Sequence, residues 1–253
     1  MRLRQIALVA RELEPIVQRL EAVLGLKVAY RDPGVAIFGL VNAVFPVGGE
    51  FLEVVQPVRE DASAARYLKR RGGDAGYMVI MQAPDALEHR TRMEKLAIRK
   101  IAEHQDKKYT FTHFHPGDFN GVLTSIDSVG GVADYLETDG DWPPAGREWR
   151  NAKAAENVVG LTSVTIQDRN PEAAAKRWGE LLESPVEGGT VIRLTKGAIK
   201  FVPPVDADGT GVVAIDVAVR DAKPVLEAAK TQELAVIGDG FQVCGITVNL
   251  VKA

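Results

Sequence analysis

The sequence predicts an α+β protein, with four β-α-β-β-β units paired into two domains of mixed or antiparallel sheets. Three observations predict it. Strand-like runs far outnumber helical runs, each helical run stands alone between strands, and the strand-helix-strands pattern keeps restarting along the 253 residues. Self-similar segments of this length are supersecondary units that share sheets. Hydrophobic residues make up 46 % and charged residues 26 % of the chain. That balance belongs to a globular protein with a substantial core and not to a disordered one.

In chain order, residues 3–10 read as a strand. Leu13, Ile16, Val17, Leu20 and Leu24 then recur at helical spacing until Gly25 stops the helix. Four strand-like runs follow, LKVAY, VAIFGL, NAVFPV and FLEVVQPV, divided by Asp-Pro-Gly and Gly-Gly. A short connecting helix over ASAARYLKRR leads into the second unit. That unit holds the strand GYMVIMQ, the helix DALEHRTRMEKLA and the strands RKIAEH, KYTFTHF and GVLTSID. The polar stretch 128–157, with its GDWPPAGREW, reads as an interdomain linker whose Pro pair excludes regular helix. Trp142 and Trp149 in it are expected to tuck against a domain.

The third unit opens on GLTSVTIQD. Asn170-Pro171-Glu172 then supplies a capping amide, a first-turn Pro and an acid at the positive end of the helix dipole. The strands TVIRLT and AIKFVPP close that unit, and GVVAIDVAVRD, KPVLEAAKTQ, LAVIG and FQVCGITVNLV form a shorter fourth one. The predicted domains are therefore 1–127 and 158–253.

Charge and composition narrow the function classes. A formal net charge of −3 gives no reason to expect nucleic acid or an anionic membrane surface as partner. The N-terminal apolar run is too short for a signal peptide, and no stretch approaches ~20 uninterrupted apolar residues. Cys244 has no partner for an internal disulfide and sits in an apolar run, the pattern of a buried thiol in a reducing cytoplasm. The expected partner is a small molecule. Paired domains in one chain suit a monomer, and exposed strand edges would equally serve a homodimer.

Two runs carry a family resemblance. ASAARYLKRRGGDAGYMVI and FHPGDFNGVLTSID resemble the junction and the HP-x-D-x-x-G-V-L run of methylmalonyl-CoA epimerases. With the β-α-β-β-β pattern, they make the chain look like a member of the vicinal oxygen chelate superfamily (glyoxalase, bleomycin resistance, extradiol dioxygenase), nearest its glyoxalase and epimerase branches. The resemblance covers residues 1 to about 127 and reaches 158–253 by repeat pattern alone. It implies cupped sheets and a divalent metal held by four side chains from first and last strands, which polarises paired substrate oxygens.

Carried over residue by residue, the resemblance puts Gln5 and Glu53 at two metal positions. Tyr77 stands where His is expected and Ser125 where Glu is expected, and both are poor ligands. In the second pair of units the corresponding positions hold Ser163, Ile199 or Lys200, Ala214 and Asn249, which form no divalent site. The cofactor is therefore one divalent ion (Zn, Ni, Co, Mn or Fe) on an incomplete Gln5–Glu53 site, or none; the missing His and Glu favour none.

The residues themselves allow sharper and plainer roles. Strand alternation sets Phe51, Glu53 and Val55 on one face, where a carboxylate among apolar neighbours is costly unless paired, hydrogen-bonded or protonated. Glu53 is then a metal ligand or general base, or it is simply satisfied by Gln5, Tyr77 or Ser125. Tyr77 could serve a substrate carbonyl as donor or acid, or fill the space a metal left. His113 and His115 share a strand face as a relocated metal pair, or as an edge residue and a turn residue, with His115 at the pocket mouth. The Lys69–Arg71 and Lys107–Lys108 runs could meet thioester phosphates, although a solvated helix end and a hairpin explain them.

Two functions follow. The first is a glyoxalase- or epimerase-like lyase or isomerase on a small oxo-acid or thioester, with Glu53 and Tyr77 in the chemistry; a dioxygenase fits less well. The second is a metal-free protein that sequesters a small ligand. In either, Phe51, Val55, Val79, Met81, Leu123, Ser125 and His115 are the expected ligand contacts.

Overall fold

A computed structural model of the chain describes residues 1–153 and 155–253; Ala154, inside the expected linker, lies outside them. The first sheet holds β1 (Arg2–Val9), β2 (Leu40–Val47), β3 (Glu50–Pro57), β4 (Ala75–Gln82), β5 (Lys100–Gln105), β6 (Tyr109–Phe114) and β7 (Leu123–Val129). Their spatial order is β2-β3-β1-β4-β7-β6-β5. β1 runs parallel to β3 and β4 parallel to β7, while β1 and β4 meet antiparallel. Two β-α-β units are thus joined through their first strands.

α1 (Leu13–Leu24) buries Ile16, Val17, Leu20 and Leu24 on one face, and Gly25 ends it at φ 66°, donating its N–H to Glu21 O. This is the left-handed stop that glycine adopts without Cβ strain. α2 (Ser63–Arg71) and α3 (Ala86–Lys95) are short, and the Asp85 side chain caps α3 by accepting from Leu87 and Glu88 N–H. One expected strand is absent. VAIFGL belongs to a 3₁₀ turn over Pro33–Phe38, because Pro33 fixes the first turn and the Asp32 side chain accepts from Gly34 N–H. LKVAY contributes only a bridge between Tyr30 and Val44.

The second sheet repeats the plan. It comprises β8 (Val158–Gln167), β9 (Val186–Glu187), β10 (Val191–Arg193), β11 (Ala198–Val202), β12 (Gly211–Val219), β13 (Val236–Ile237), β14 (Gly240–Val243) and β15 (Ile246–Lys252). Again the two first strands, β8 and β12, meet antiparallel, with β11 and β15 parallel beside them. α4 (Pro171–Leu182) starts where expected, its Asn170 side chain accepting from Ala173 N–H. α5 (Lys223–Thr231) buries Val225 and Ala229.

One face of each sheet enters a single continuous core. Leu3, Ile6 and Leu8 of β1 and Val79 and Met81 of β4 share it with Val164, Ile215 and Val248 of the second sheet. The sheets approach closely at Gly76, where an added Cβ would stand 2.5 Å from Val212 Cβ. Arg71 bridges the same seam, reaching Asp206 at 2.8 Å, Asp208 at 2.9 Å and Thr210 O at 3.0 Å. Cys244 is buried at this core, which pushes its thiol pKa up.

A β-bulge decides what the other face shows. Ala7 pairs with Met78 and Leu8 with Gly76, so Tyr77 is an extra residue on β4. The same insertion recurs at Val213, between Ala214, which pairs with Thr165, and Val212, which pairs with Ile166. No helix among the described residues is long and apolar enough to cross a membrane.

Candidate active site in the first sheet

The free face of the first sheet forms a cup around a cavity of about 610 Å³. Its polar floor comes from β1, β2, β3 and β7, its aromatic wall from β6, and its rim from the 3₁₀ turn at Pro33–Phe38. The end of the cup is shut by Trp142 and Trp149, both 1 % exposed or less, which pack on Phe51 with ring centroids 6.3 and 4.9 Å away. The segment carrying them is held to the sheet by two buried arginines. Arg2 donates to the carbonyls of Tyr135, Glu137 and Gly49, and Arg4 to those of Gly49 and Gly140.

Glu53 sits on the floor, buried, with both oxygens occupied by neutral amide donors. Asn42 Nδ2 donates to Oε1 at 2.6 Å and Gln5 Nε2 to Oε2 at 2.8 Å. Gln5 is oriented in turn by Trp142, whose indole N–H donates to its Oε1 at 2.6 Å. Burial raises the Glu53 pKa above the usual carboxylate range, against the two amide bonds, which favour ionisation. Tyr77 lines the cavity beside it without a hydrogen-bond partner among the described residues, and its ring meets Tyr67 edge-on at 5.3 Å. Burial pushes its hydroxyl up to about 12, so it is a donor at neutral pH.

A second carboxyl, Asp127, faces the same cavity from β7. Ser125 Oγ and Tyr109 Oη hold its two oxygens, and Ser125 Oγ also contacts Thr112 O at 3.2 Å. Burial pushes Asp127 up to about 7. A protonated Asp127 suits this network: it donates to Ser125 Oγ, which gives its own proton to the Thr112 carbonyl, while Tyr109 donates to the other oxygen. Tyr109 is raised well above its ordinary value by burial and by the neighbouring carboxyl. His113 faces the cavity from β6, stacked at 4.5 Å on Phe111, and burial lowers its pKa to about 4, which keeps it neutral.

Of the expected contacts, Gln5, Glu53, Val55, Tyr77 and Leu123 line the cavity and the others do not. Val79 and Met81 face the core on the opposite side, because the bulge at Tyr77 reverses the alternation after it; Met78 and Ile80 take their places. Phe51 is covered by the two tryptophans. Ser125 lies beneath Asp127. His115 is a turn residue whose Nδ1 accepts from Gly117 N–H at 3.0 Å. Asn42, Asp127, Tyr109 and Phe111 go unnoticed in the sequence. Asp127 carries a signal all the same: it stands two residues from Ser125 on the same strand and so shares its face.

The family metal does not fit these residues. Glu53 spends its oxygens on two amide donors, and the Gln5 oxygen accepts an indole proton. Among the described residues no three His, Cys, Asp or Glu side chains converge in a ligand group.

Residues 6–182 match the glyoxalase-like domain. The chain belongs to that family. It is a member of the vicinal oxygen chelate superfamily, as its two sheets indicate. Among solved structures it is similar to a variant of 4-hydroxymandelate synthase from Streptomyces coelicolor, with 16 % identity and a TM-score of 0.66, over 92 % of this chain and 75 % of that one. That likeness spans both sheets and bears on the fold. A variant of methylmalonyl-CoA epimerase from Streptomyces coelicolor, in complex with 2-nitronate-propionyl-CoA, has 18 % identity and a TM-score of 0.47, over 52 % of this chain and 99 % of that one. The Mycobacterium tuberculosis epimerase has 17 % identity and a TM-score of 0.46, over 51 % and 87 %. No curated protein matches the chain by sequence.

Proposed function

We propose that the protein takes a small organic molecule into the cup of its first sheet and acts on it as a metal-independent isomerase or lyase, with Glu53 as the proton-exchanging group. One observation carries this reading: Glu53 is buried on the cavity floor, where desolvation raises its proton affinity against the two amide hydrogen bonds that lower it. Tyr77, whose hydroxyl is a donor at neutral pH, would supply the complementary proton or hydrogen bond to a substrate oxygen.

A second reading rests on the completeness of the Glu53 hydrogen bonds. With both oxygens already engaged, the carboxyl could serve as a fixed polar anchor, and the protein would bind its ligand without changing it. The two readings separate in D₂O. Small carbon acids and amines that raise the melting temperature are incubated with the protein, and ligand C–H signals are followed by ¹H NMR. An isomerase or lyase exchanges or removes a specific C–H, and Glu53→Gln slows that by at least about a hundredfold while affinity moves less than about tenfold. Unchanged exchange in Glu53→Gln would discard Glu53 as the base. A bound ligand with no exchange at all leaves the sequestering protein.

A further inference from the structure

The charges around the cavity are one-sided. Glu53 and Asp127 lie on the floor, and Asp32 and Asp61 stand nearer the mouth. Against these four carboxyls the described lining residues offer one guanidinium, Arg59, and it is already paired with Asp61 at 3.0 Å. The histidines there, His104 and His113, cannot redress this: His113 is held neutral by burial, and His104 contacts Asp106 at 3.1 Å. Arg2 and Arg4 direct their terminal N–H groups to carbonyl oxygens and Glu50, and neither lines the cavity. Lys69, Arg70 and Lys107 are likewise absent from its walls, so the expected anionic thioester or oxo-acid would find no free cation.

The walls complete the picture. Tyr109, Phe111 and His113 follow one another along β6 with ring centroids 5.9 and 4.5 Å apart, and Tyr77 faces the cavity from β4. His113 is enclosed, points its ring at the cavity and has no hydrogen-bond partner among the described residues. Aromatic faces present negative charge density and attract a desolvated cation, most strongly when no water intervenes.

We propose that the cup takes an organic cation, an ammonium group on a small apolar or aromatic body, whose charge is met by the Glu53 and Asp127 carboxylates and the rings of Tyr77, Tyr109 and Phe111. The inference rests on the reading of the cup as the ligand site, and it names the substrate class that site selects. Binding then has a proton balance. Burial disfavours the ionised form of both floor carboxyls in the empty cup, and pushes Asp127 up to about 7. An incoming cation favours the carboxylates, so protons leave as it enters. The substrate would thereby favour the basic, ionised form of Glu53.

Calorimetry with three probes of matched size tests this: benzyltrimethylammonium, phenylacetate and benzyl alcohol, with propionyl-CoA as a thioester. The cation is expected to bind at least about tenfold more tightly than phenylacetate or the alcohol. At pH 6 its binding should release protons, read from the difference in heat between two buffers of unequal ionisation enthalpy. Glu53→Gln and Asp127→Asn should each weaken the cation about tenfold or more and leave benzyl alcohol nearly unmoved. Phe111→Leu, which keeps both carboxyls, provides a second variant and should also weaken the cation selectively. Phenylacetate or propionyl-CoA binding as tightly as the cation, and weakened by the cup variants, would overturn the cation proposal and leave the cup as the ligand site. Cation affinity untouched by all three substitutions would also overturn it. No binding by any probe to the folded protein would remove the cation proposal and the cup reading together.

Discussion

The two sheets have one topology and two different free faces. By register, Gln5 of the first sheet corresponds to Ser163 of the second, Glu53 to Lys200, Ile80 to Asp216 and Ser125 to Asn249. The first face is roofed by Trp142 and Trp149 and lined by carboxyls with no unpaired guanidinium or ammonium among the described lining residues. In the second, Lys200 pairs with Asp216, Asn249 Nδ2 donates to the same carboxylate at 2.9 Å, and Lys200 remains 40 % exposed. The comparison teaches where fold and chemistry reside. The faces turned toward the shared core are alike and apolar, so they fix the architecture, while the free faces are at liberty to diverge. One became an enclosed acidic cup; the other closed its charges on themselves.

The largest effect expected from breaking this contrast comes from its roof. Trp142→Ala removes a buried indole and its bond to Gln5, and should lower stability by about 3–5 kcal/mol in urea denaturation. Thr247→Ala, on the partly exposed second face, should stay within ~0.5 kcal/mol. Equal losses would mean that the roof is not what distinguishes the faces.

The next test is the sign of the pH dependence. Asp127 is raised to about 7, so the folded state holds its proton where the unfolded chain has released it. Its contribution is full at low pH and is lost as pH rises from about 4 to about 7, by on the order of 1 kcal/mol for each pH step of one across that window. Asp216 goes the other way. Burial alone would raise it, but Lys200 and Asn249 outweigh that and lower it, so its contribution is present above the ordinary Asp range and lost on acidification. Asp127→Asn should flatten the decline toward pH 7 in urea midpoints, and Asp216→Asn should flatten the acid limb. Slopes of the same sign in both variants would contradict the contrast.

A smaller effect sharpens the account of the shared seam. Gly76→Ala forces a Cβ to within 2.5 Å of Val212 Cβ and 2.6 Å of Val212 O, and should cost about 1–3 kcal/mol. Gly73→Ala, with nothing within 4 Å, should be nearly neutral or slightly stabilising. Matching melting temperatures for the two variants would show that the sheets can part at this point.

Much of the architecture was legible because buried strands and amphipathic helices leave periodic traces, as Leu13 to Leu24 and the restart at Gly76–Gln82 show. The free face of Glu53 was legible too, since β3 alternates regularly and puts Leu52 and Val54 in the core. Alternation failed on β4 for a definite reason. One inserted residue, Tyr77, reverses every position after it, and a bulge leaves no mark in hydrophobic periodicity. VAIFGL has strand composition, but Pro33 and the Asp32 cap decided its conformation locally. The partners of Glu53 were beyond reach, because Asn42 and Trp142 meet the site only through tertiary structure.

The bond between Trp142 and Gln5 joins residues 137 positions apart. Contacts of such sequence separation close the longest loops and are entropically the slowest to form. On the ribosome, all seven strands of the first sheet are made before Trp142 is, and domains tend to fold as they emerge. Closure of the end of the cup therefore waits until the whole of the first sheet has been synthesised.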